Sequence, residues 1–407
     1  EDFMSVISYL AGEYALEHRN VYAKIWYDEK TKQIGKKGKL ARVIYMTNIG
    51  TIPEESFISV VSVGQGKEER IGVIDEGFLE KMKLGDVFVL GGKKYKYLYT
   101  KGMNVYVRNE IRKNPTIPSW FSEMLPLSFD TALEINKFRK LLNEKFENKK
   151  SPEEIKEFIK EYCYVNNNVS KMIYEYFYEQ YTYLKIPHSD RILIEAYKGE
   201  KNYVIFHSLY GRGVNDALSR AIGYLIGQKI GKDIEIGISD NGFYFAGEKL
   251  PIDEALKLIT PENLRKILEE AIVKTEILKR RFRHCAARSL MILRNYKGRR
   301  KSVGRQQMNS FFLLSAINKI SKDFPILKEA RREVLEDLMD IENAELVVKW
   351  INEGKIKIER CESSLPSPFA MNLVLQGYSD LLKMEDRIEF MKRMHAEIVK
   401  EIEEKKD

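Results

Sequence analysis

The chain has 407 residues, 44% of them hydrophobic and 31% charged, which suits two or three domains with buried cores rather than one. It contains no run of 18 apolar residues and no charged-then-apolar leader in its first thirty residues, so the expectation is a soluble, cytoplasmic protein with no membrane partner. Three separated cysteines exclude a disulfide framework and a paired-cysteine zinc site, and the net charge of +8 favours an anionic partner.

Apolar spacing from Phe3 to about Tyr14 predicts a short helix. Two β-rich runs follow, Asn20–Tyr27 and Leu40–Asn48, joined by the Lys-rich loop KTKQIGKKGK. Helix then hairpin is how a winged-helix domain ends, and Lys36 and Lys37 in that loop are candidate phosphate contacts. FISVVSV, GDVFVLGGKKYKYLYT and NVYVRN predict a small antiparallel barrel or bent sheet over about 41–110. The Pro-flanked segment NPTIPSWFSEM reads as a connector. In it Phe121 is expected to point inward and Trp120 outward, ready to stack on a base. Helical patterns run from Thr131 to about Tyr183, with Ser151-Pro152-Glu153-Glu154 a helix start. The tyrosines between Tyr162 and Tyr183 fit packing between these helices.

Strands ILIEAY and YVIFHS come next, then the loop LYGRGVND, a helix to about Ile230, and strands DIEIGIS and FYFAG around a DNG turn. From Pro251 the chain reads as helical, broken by Gly298, Pro325 and the extended stretch KIKIERCESSLPSP. The fold class expected is α+β and multidomain. Its parts are the tail of a winged helix (1–50), a small β module (51–118), a helical connector (119–189) and a mixed α/β, largely helical domain (190–407).

The charge is concentrated in 279–305, KRRFRHCAARSLMILRNYKGRRKSVGR. This segment holds eleven Lys or Arg and no acid, more than the whole net charge of the chain. On a helix from Lys279 to Tyr296, at about 100° per residue, Phe282, Cys285, Ala286, Ser289, Leu290, Ile292 and Leu293 share one side. Arg280, Arg281, Arg283, His284, Arg288 and Arg294 share the other, with Met291 among them. Arg299, Arg300, Lys301 and Arg305 extend the basic surface past Gly298. A solvated face is the alternative, but such faces mix signs, and an arginine face without carboxylates suits phosphates. The loop around Arg212 opens a helix, where free backbone N–H groups also favour an anion.

No phosphate-cradling G-x-x-x-x-G-K-[ST] loop, acidic helicase box, G-x-S-x-G or H-E-x-x-H occurs, and Asp240 opens a turn rather than a catalytic set. His284 beside Cys285 is too little for a metal site, so no metal or cofactor is assigned to this chain.

Several stretches, in the same order along the chain, resemble the region after the motor domains of archaeal-type Lhr (large helicase-related) proteins. They are ARVIYMTNIGTIP, GVIDEGFLEKMKLGDVFVLGGKKYKYL, PTIPSWFSE, IPHSDRILIEAY, HSLYGRGVNDALSRAIG, CAARSLMILRNYKGRRKSVGRQQM and ESSLPSPF. Met82 stands where the family pattern has Leu. The resemblance implies a DEAD/H-associated domain and a module that encloses a single strand of DNA or RNA. The partner it implies is a 3′-to-5′ RecA-like motor that binds ATP and Mg²⁺, and the chain lacks the motifs of that motor. It also maps a base-stacking role onto Trp120. Two readings compete with a strand-guiding module. One is a free-standing glycosylase or nuclease, which needs a carboxylate near the basic helix. The other is a scaffold whose basic face meets an acidic protein.

Overall fold

The computed structural model describes residues 2–12, 25–38, 41–48, 58–64, 67–74, 78–79, 82, 84–101, 104–110, 126–198, 202–296, 299–301, 303–378 and 384–404. Trp120 and Phe121 lie outside them, as do the Lys297 and Gly298 positions of the basic segment. The fold is α+β and multidomain, with a curled half-barrel sheet as one component. The chain divides into two compact units, Glu1–Trp120 with Ile272–Asp337, and Phe121–Ala271 with Leu338–Asp407.

The first unit begins with helix α1 (Asp2–Ala11) and the hairpin β1 (Ile25–Asp28) and β2 (Gln33–Lys36). The hairpin tip is fixed by Asp28, whose carboxylate accepts from Lys30 N at 2.9 Å and Thr31 Oγ1 at 2.7 Å. Residues expected to form the hairpin's second strand, Leu40–Asn48, instead give helix α2 (Ala41–Asn48). The hairpin is thus complete within twelve residues. The β-branched Val43, Ile44 and Thr47 tolerate the helix because propensity yields to tertiary contacts.

A five-stranded sheet follows, in the order β4 (Lys67–Ile74), β3 (Ile58–Gly64), β7 (Asn104–Asn109), β6 (Lys93–Lys101), β5 (Val87–Leu90). One face buries Ile58, Val60, Ile74, Phe88, Tyr95, Tyr97, Val105 and Val107. The sheet is not wholly antiparallel as expected. β3 and β7 run parallel, because the chain returns to β3 only after making β4, β5 and β6.

The second unit opens with three helices, α3 (Phe129–Glu147), α4 (Pro152–Cys163) and α5 (Asn167–Tyr183). Ser151 and Glu154 form a reciprocal capping box at α4, with Pro152 in its first turn. The tyrosine-rich stretch packs largely as expected. Phe146 contacts Tyr174, Tyr178 and Tyr181, and Phe177 is buried against Phe138. Tyr164 departs from this pattern, standing 95% exposed in a left-handed cap.

A second five-stranded sheet has the order β10 (Glu235–Ser239), β11 (Gly242–Ala246), β9 (Asn202–His207), β8 (Arg191–Lys198), β14 (Lys357–Ser363). The stretch read only as extended, 357–363, joins this sheet parallel to β8. Helix α6 (Arg212–Ile230) packs on β10 and β11, followed by α7 (Ile252–Leu258) and α8 (Pro261–Ile272). Helices α12 (Ile341–Asn352), α13 (Met371–Tyr378) and α14 (Met384–Glu404) complete the unit. No helix among the described residues is long and apolar enough to cross a membrane.

Candidate nucleic-acid interface

The basic segment starts in helix α9 (Glu276–Arg288), capped by the Thr275 hydroxyl, which accepts from Leu278 N. The helix ends eight residues before the expected Tyr296. Ser289 caps it and Leu290 takes a left-handed backbone (φ 59°). Leu290 N then donates to Ala287 O at 3.1 Å, and Met291 N to Ala286 O at 2.9 Å. This turn buries Met291 and Ile292. Met291 is therefore a core residue rather than a neighbour of the arginines, and Arg294 is not on the helix.

The arginines do not form one open face. Arg283 is buried. Arg288 donates to the carboxylate of Glu333, and Arg281 Nη1 lies 3.8 Å from the other oxygen of the same group. Glu333 is itself buried. It opens a π-helical turn (Glu333–Leu338) that continues α11 (Pro325–Arg332). An acid 45 residues further along the chain thus neutralises part of the expected anion site. Arg280 is the exposed arginine of α9.

Burial, reinforced by Arg283, Arg281, Arg280 and Arg288, pushes His284 down to about 4, so the ring stays neutral at physiological pH. Burial likewise pushes the Cys285 thiol up to about 12, and its sulfur accepts from Arg288 Nη2 at 3.1 Å.

Past the helix the chain forms a short antiparallel hairpin, β12 (Asn295–Tyr296) with β13 (Arg299–Arg300). Its base is tied to the end of α2. Asn48 Nδ2 donates to Asn295 O at 3.0 Å, Asn295 N to Asn48 Oδ1 at 2.9 Å, and Asn295 Nδ2 to Thr47 O at 2.8 Å. Asn48 is buried and satisfies a backbone edge as another strand would. The stem is closed by Lys301 N donating to Arg294 O at 2.9 Å.

Helix α10 (Val303–Ile320) then carries Arg305 into solvent. Burial lowers Lys301, and the adjacent Arg305 lowers it further. Neither has an acidic partner among the described residues.

Lys36 and Lys37 are exposed at the end of the β1–β2 hairpin, in the same unit. Arg212 is exposed in the second unit, but the helix start beneath it is occupied. Asp240 Oδ1 accepts from Arg212 N at 3.0 Å and from Leu127 N at 3.1 Å, so a protein carboxylate already meets the positive end of α6. Gly211 makes this arrangement possible. At φ 85° it lies so close to Leu127 O that a Cβ would sit 2.4 Å from it.

Sequence reading also missed a buried polar knot in the second unit. The fully buried Glu195 on β8 accepts from Ser363 Oγ (2.8 Å), Ser367 N (2.7 Å) and Ser367 Oγ (2.6 Å), and pairs with His207 Nε2 at 2.8 Å. The only hint was ESSLPSPF, which supplies both serines.

Residues 1–117 match the winged helix domain of large helicase-related proteins, and residues 186–370 match the DEAD/H associated domain. The chain is 53% identical to ATP-dependent helicase Lhr-Core of Methanothermobacter thermautotrophicus, covering 99% of this chain and 46% of that protein. It is 42% identical to Lhr-Core of Saccharolobus solfataricus, covering 99% and 47%. A more distant relative is the Lhr helicase/uracil glycosylase of Escherichia coli, at 27% identity over 94% of this chain and 25% of that one. The chain therefore spans about half the length of its archaeal relatives. The Mycobacterium smegmatis helicase Lhr, solved with ssDNA and AMP-PNP, has the same fold at a TM-score of 0.66. That match has 20% identity and covers 91% of this chain and 42% of that one.

Proposed function

The chain belongs to the large helicase-related (Lhr) family, and from that premise we propose that it is a nucleic-acid-binding, strand-guiding module of a cytoplasmic ATP-dependent 3′-to-5′ helicase. Its partners in this reading are single-stranded DNA or RNA and the RecA-like motor domains that handle ATP and Mg²⁺. The chain's own residues offer no Gly-rich loop with its lysine to cradle a triphosphate, so no step of ATP hydrolysis is assigned to it.

The observation that carries the reading is the uncompensated cationic end of the basic segment. Lys301 and Arg305 stand together, with no acidic partner among the described residues, beside a hairpin built from Asn295–Tyr296 and Arg299–Arg300. Like charges held together in this way favour a polyanion. Contacts of this kind grip the phosphate backbone without reading sequence, as a translocating strand requires.

The glycosylase or nuclease reading gains nothing from Glu333. It is the carboxylate that Arg281 and Arg288 share, yet it is buried and paired, out of reach of a substrate.

The test is a salt titration of single-strand binding by the wild type and by a variant combining Arg280→Gln, Lys301→Gln and Arg305→Gln. The variant should bind all sequences more weakly, and its log–log salt slope should be shallower by about 0.7 for each phosphate contact removed. Equal affinity and slope in a folded variant would reject the assignment.

A further inference from the structure

Strand β6 carries Tyr95, Tyr97 and Tyr99, which strict alternation would place on one face. Tyr95 and Tyr97 do lie in the core cluster of this five-stranded sheet. Tyr99 does not. Tyr97 pairs with Val107 but Tyr99 with Tyr106, so Leu98 is an extra residue, and this bulge turns Tyr99 onto the opposite face. There its ring stacks on Tyr106 at 4.7 Å and 15°, with Tyr106 buried beneath and Tyr99 46% exposed.

The same face is basic on both sides of this pair. Lys96 lies directly opposite Arg108 on one side, and Lys101 opposite Asn104 on the other. Each is two or three residues from the tyrosines along its strand, about 7–10 Å away. Like charges paired directly across a sheet destabilise it, and Lys96, Lys101 and Arg108 have no ion pair among the described residues. An exposed ring on a rigid sheet, bracketed by unneutralised cations, combines a stacking platform with phosphate contacts at about the spacing of an extended strand.

We propose that the exposed end of this second sheet face is a second single-strand contact, with Tyr99 stacking on a base and Lys96, Lys101 and Arg108 holding the flanking phosphates. The inference rests on the strand-guiding reading above but uses different residues. It explains why a bulge interrupts a strand whose tyrosines would otherwise all pack inward.

The test measures binding of the full chain to a short oligo-dT and to an abasic strand of the same length. Tyr99→Ala should weaken oligo-dT binding by roughly 5- to 100-fold, leave the abasic strand unaffected and melt like the wild type. Tyr99→Phe keeps the stacking ring and should stay within about twofold of wild type. Lys101→Gln with Arg108→Gln should weaken binding to both strands. The inference is overturned if Tyr99→Ala binds oligo-dT as well as wild type, or loses equally on both strands. If the Lys301 and Arg305 variant loses binding while Tyr99→Ala does not, this inference alone fails. If neither loses binding, the strand-guiding reading fails with it.

Discussion

Arg288 shows why counting charges along a chain is not the same as mapping a surface. Residues 279–305 contain no acid, and that much is legible in the sequence. The acid that matters comes from the start of the π-helical turn, and only folding brings Glu333 under Arg281 and Arg288. Glu333 is buried, so removing its main partner leaves a carboxylate with little compensation. Arg288→Gln should therefore cost about 3 kcal/mol of stability, the lower end of the range for breaking a buried pair because Arg281 remains nearby. Adding Glu333→Gln to that variant should recover much of the loss, since the orphaned charge is then gone. Urea unfolding of both variants measures this. If Arg288→Gln unfolds like the wild type but binds single strands far more weakly, Arg288 faces nucleic acid instead.

At the level of elements, the sequence is most legible where local chemistry is decisive. Ser151, Pro152 and Glu154 mark the start of α4, and the DNG turn marks β10 and β11, because caps and tight turns depend on residues close together. It is least legible where a distant partner decides. The apolar period of α9 continues through Leu290, Ile292 and Leu293 with no Gly or Pro to stop it. The helix nevertheless ends, because a left-handed Leu290 lets Met291 and Ile292 enter the core. The edge strand β14 is a similar case. It is parallel to β8 but follows it by some 160 residues, and beyond the backbone ladder the two are joined by the Glu195 knot. Glu195→Ala should strand Ser363, Ser367 and His207 without an acceptor and cost about 3–5 kcal/mol, as loss of one partner in a buried ionic network does. Glu195→Gln keeps one acceptor oxygen and should cost less. Hydrogen exchange locates the damage, with protection falling first in β14 and the 364–370 loop. Unchanged protection there in Glu195→Ala would show that the knot does not hold the edge strand.

At the scale of the whole molecule, family membership was legible because seven stretches kept their order along the chain. The two units were not, because each is assembled from separated segments and local patterns say nothing of which segments meet. Yet the units share one physical property. His284 in the first and His188 in the second are both pushed down to about 4, chiefly by burial. Each is neutral when folded, and in the unfolded chain it takes up a proton near its ordinary value of 6.5. Well above pH 6.5 the folded and unfolded states hold the same protons at these rings, so stability is unaffected there. Between 6.5 and 4 the unfolded state binds protons that the folded state refuses, so stability falls as the pH falls, by at most about 1.4 kcal/mol per pH unit for each ring. Glu195, Asp190 and Glu359 are also held below their ordinary values, by His207, by Lys140 and by Lys185 with Arg191, against the opposing effect of burial. Their contribution is lost only lower down, as the pH drops through the carboxylate range. Thermal midpoints should therefore change little from pH 8 to about 7 and then decline in both units before Glu195, Asp190 and Glu359 protonate. His284→Gln removes the titrating ring from the first unit and should flatten that unit's decline without altering the second. A midpoint constant between pH 6.5 and 4.5, or a His284→Gln variant with the wild-type slope, would show that these rings are not buried neutral.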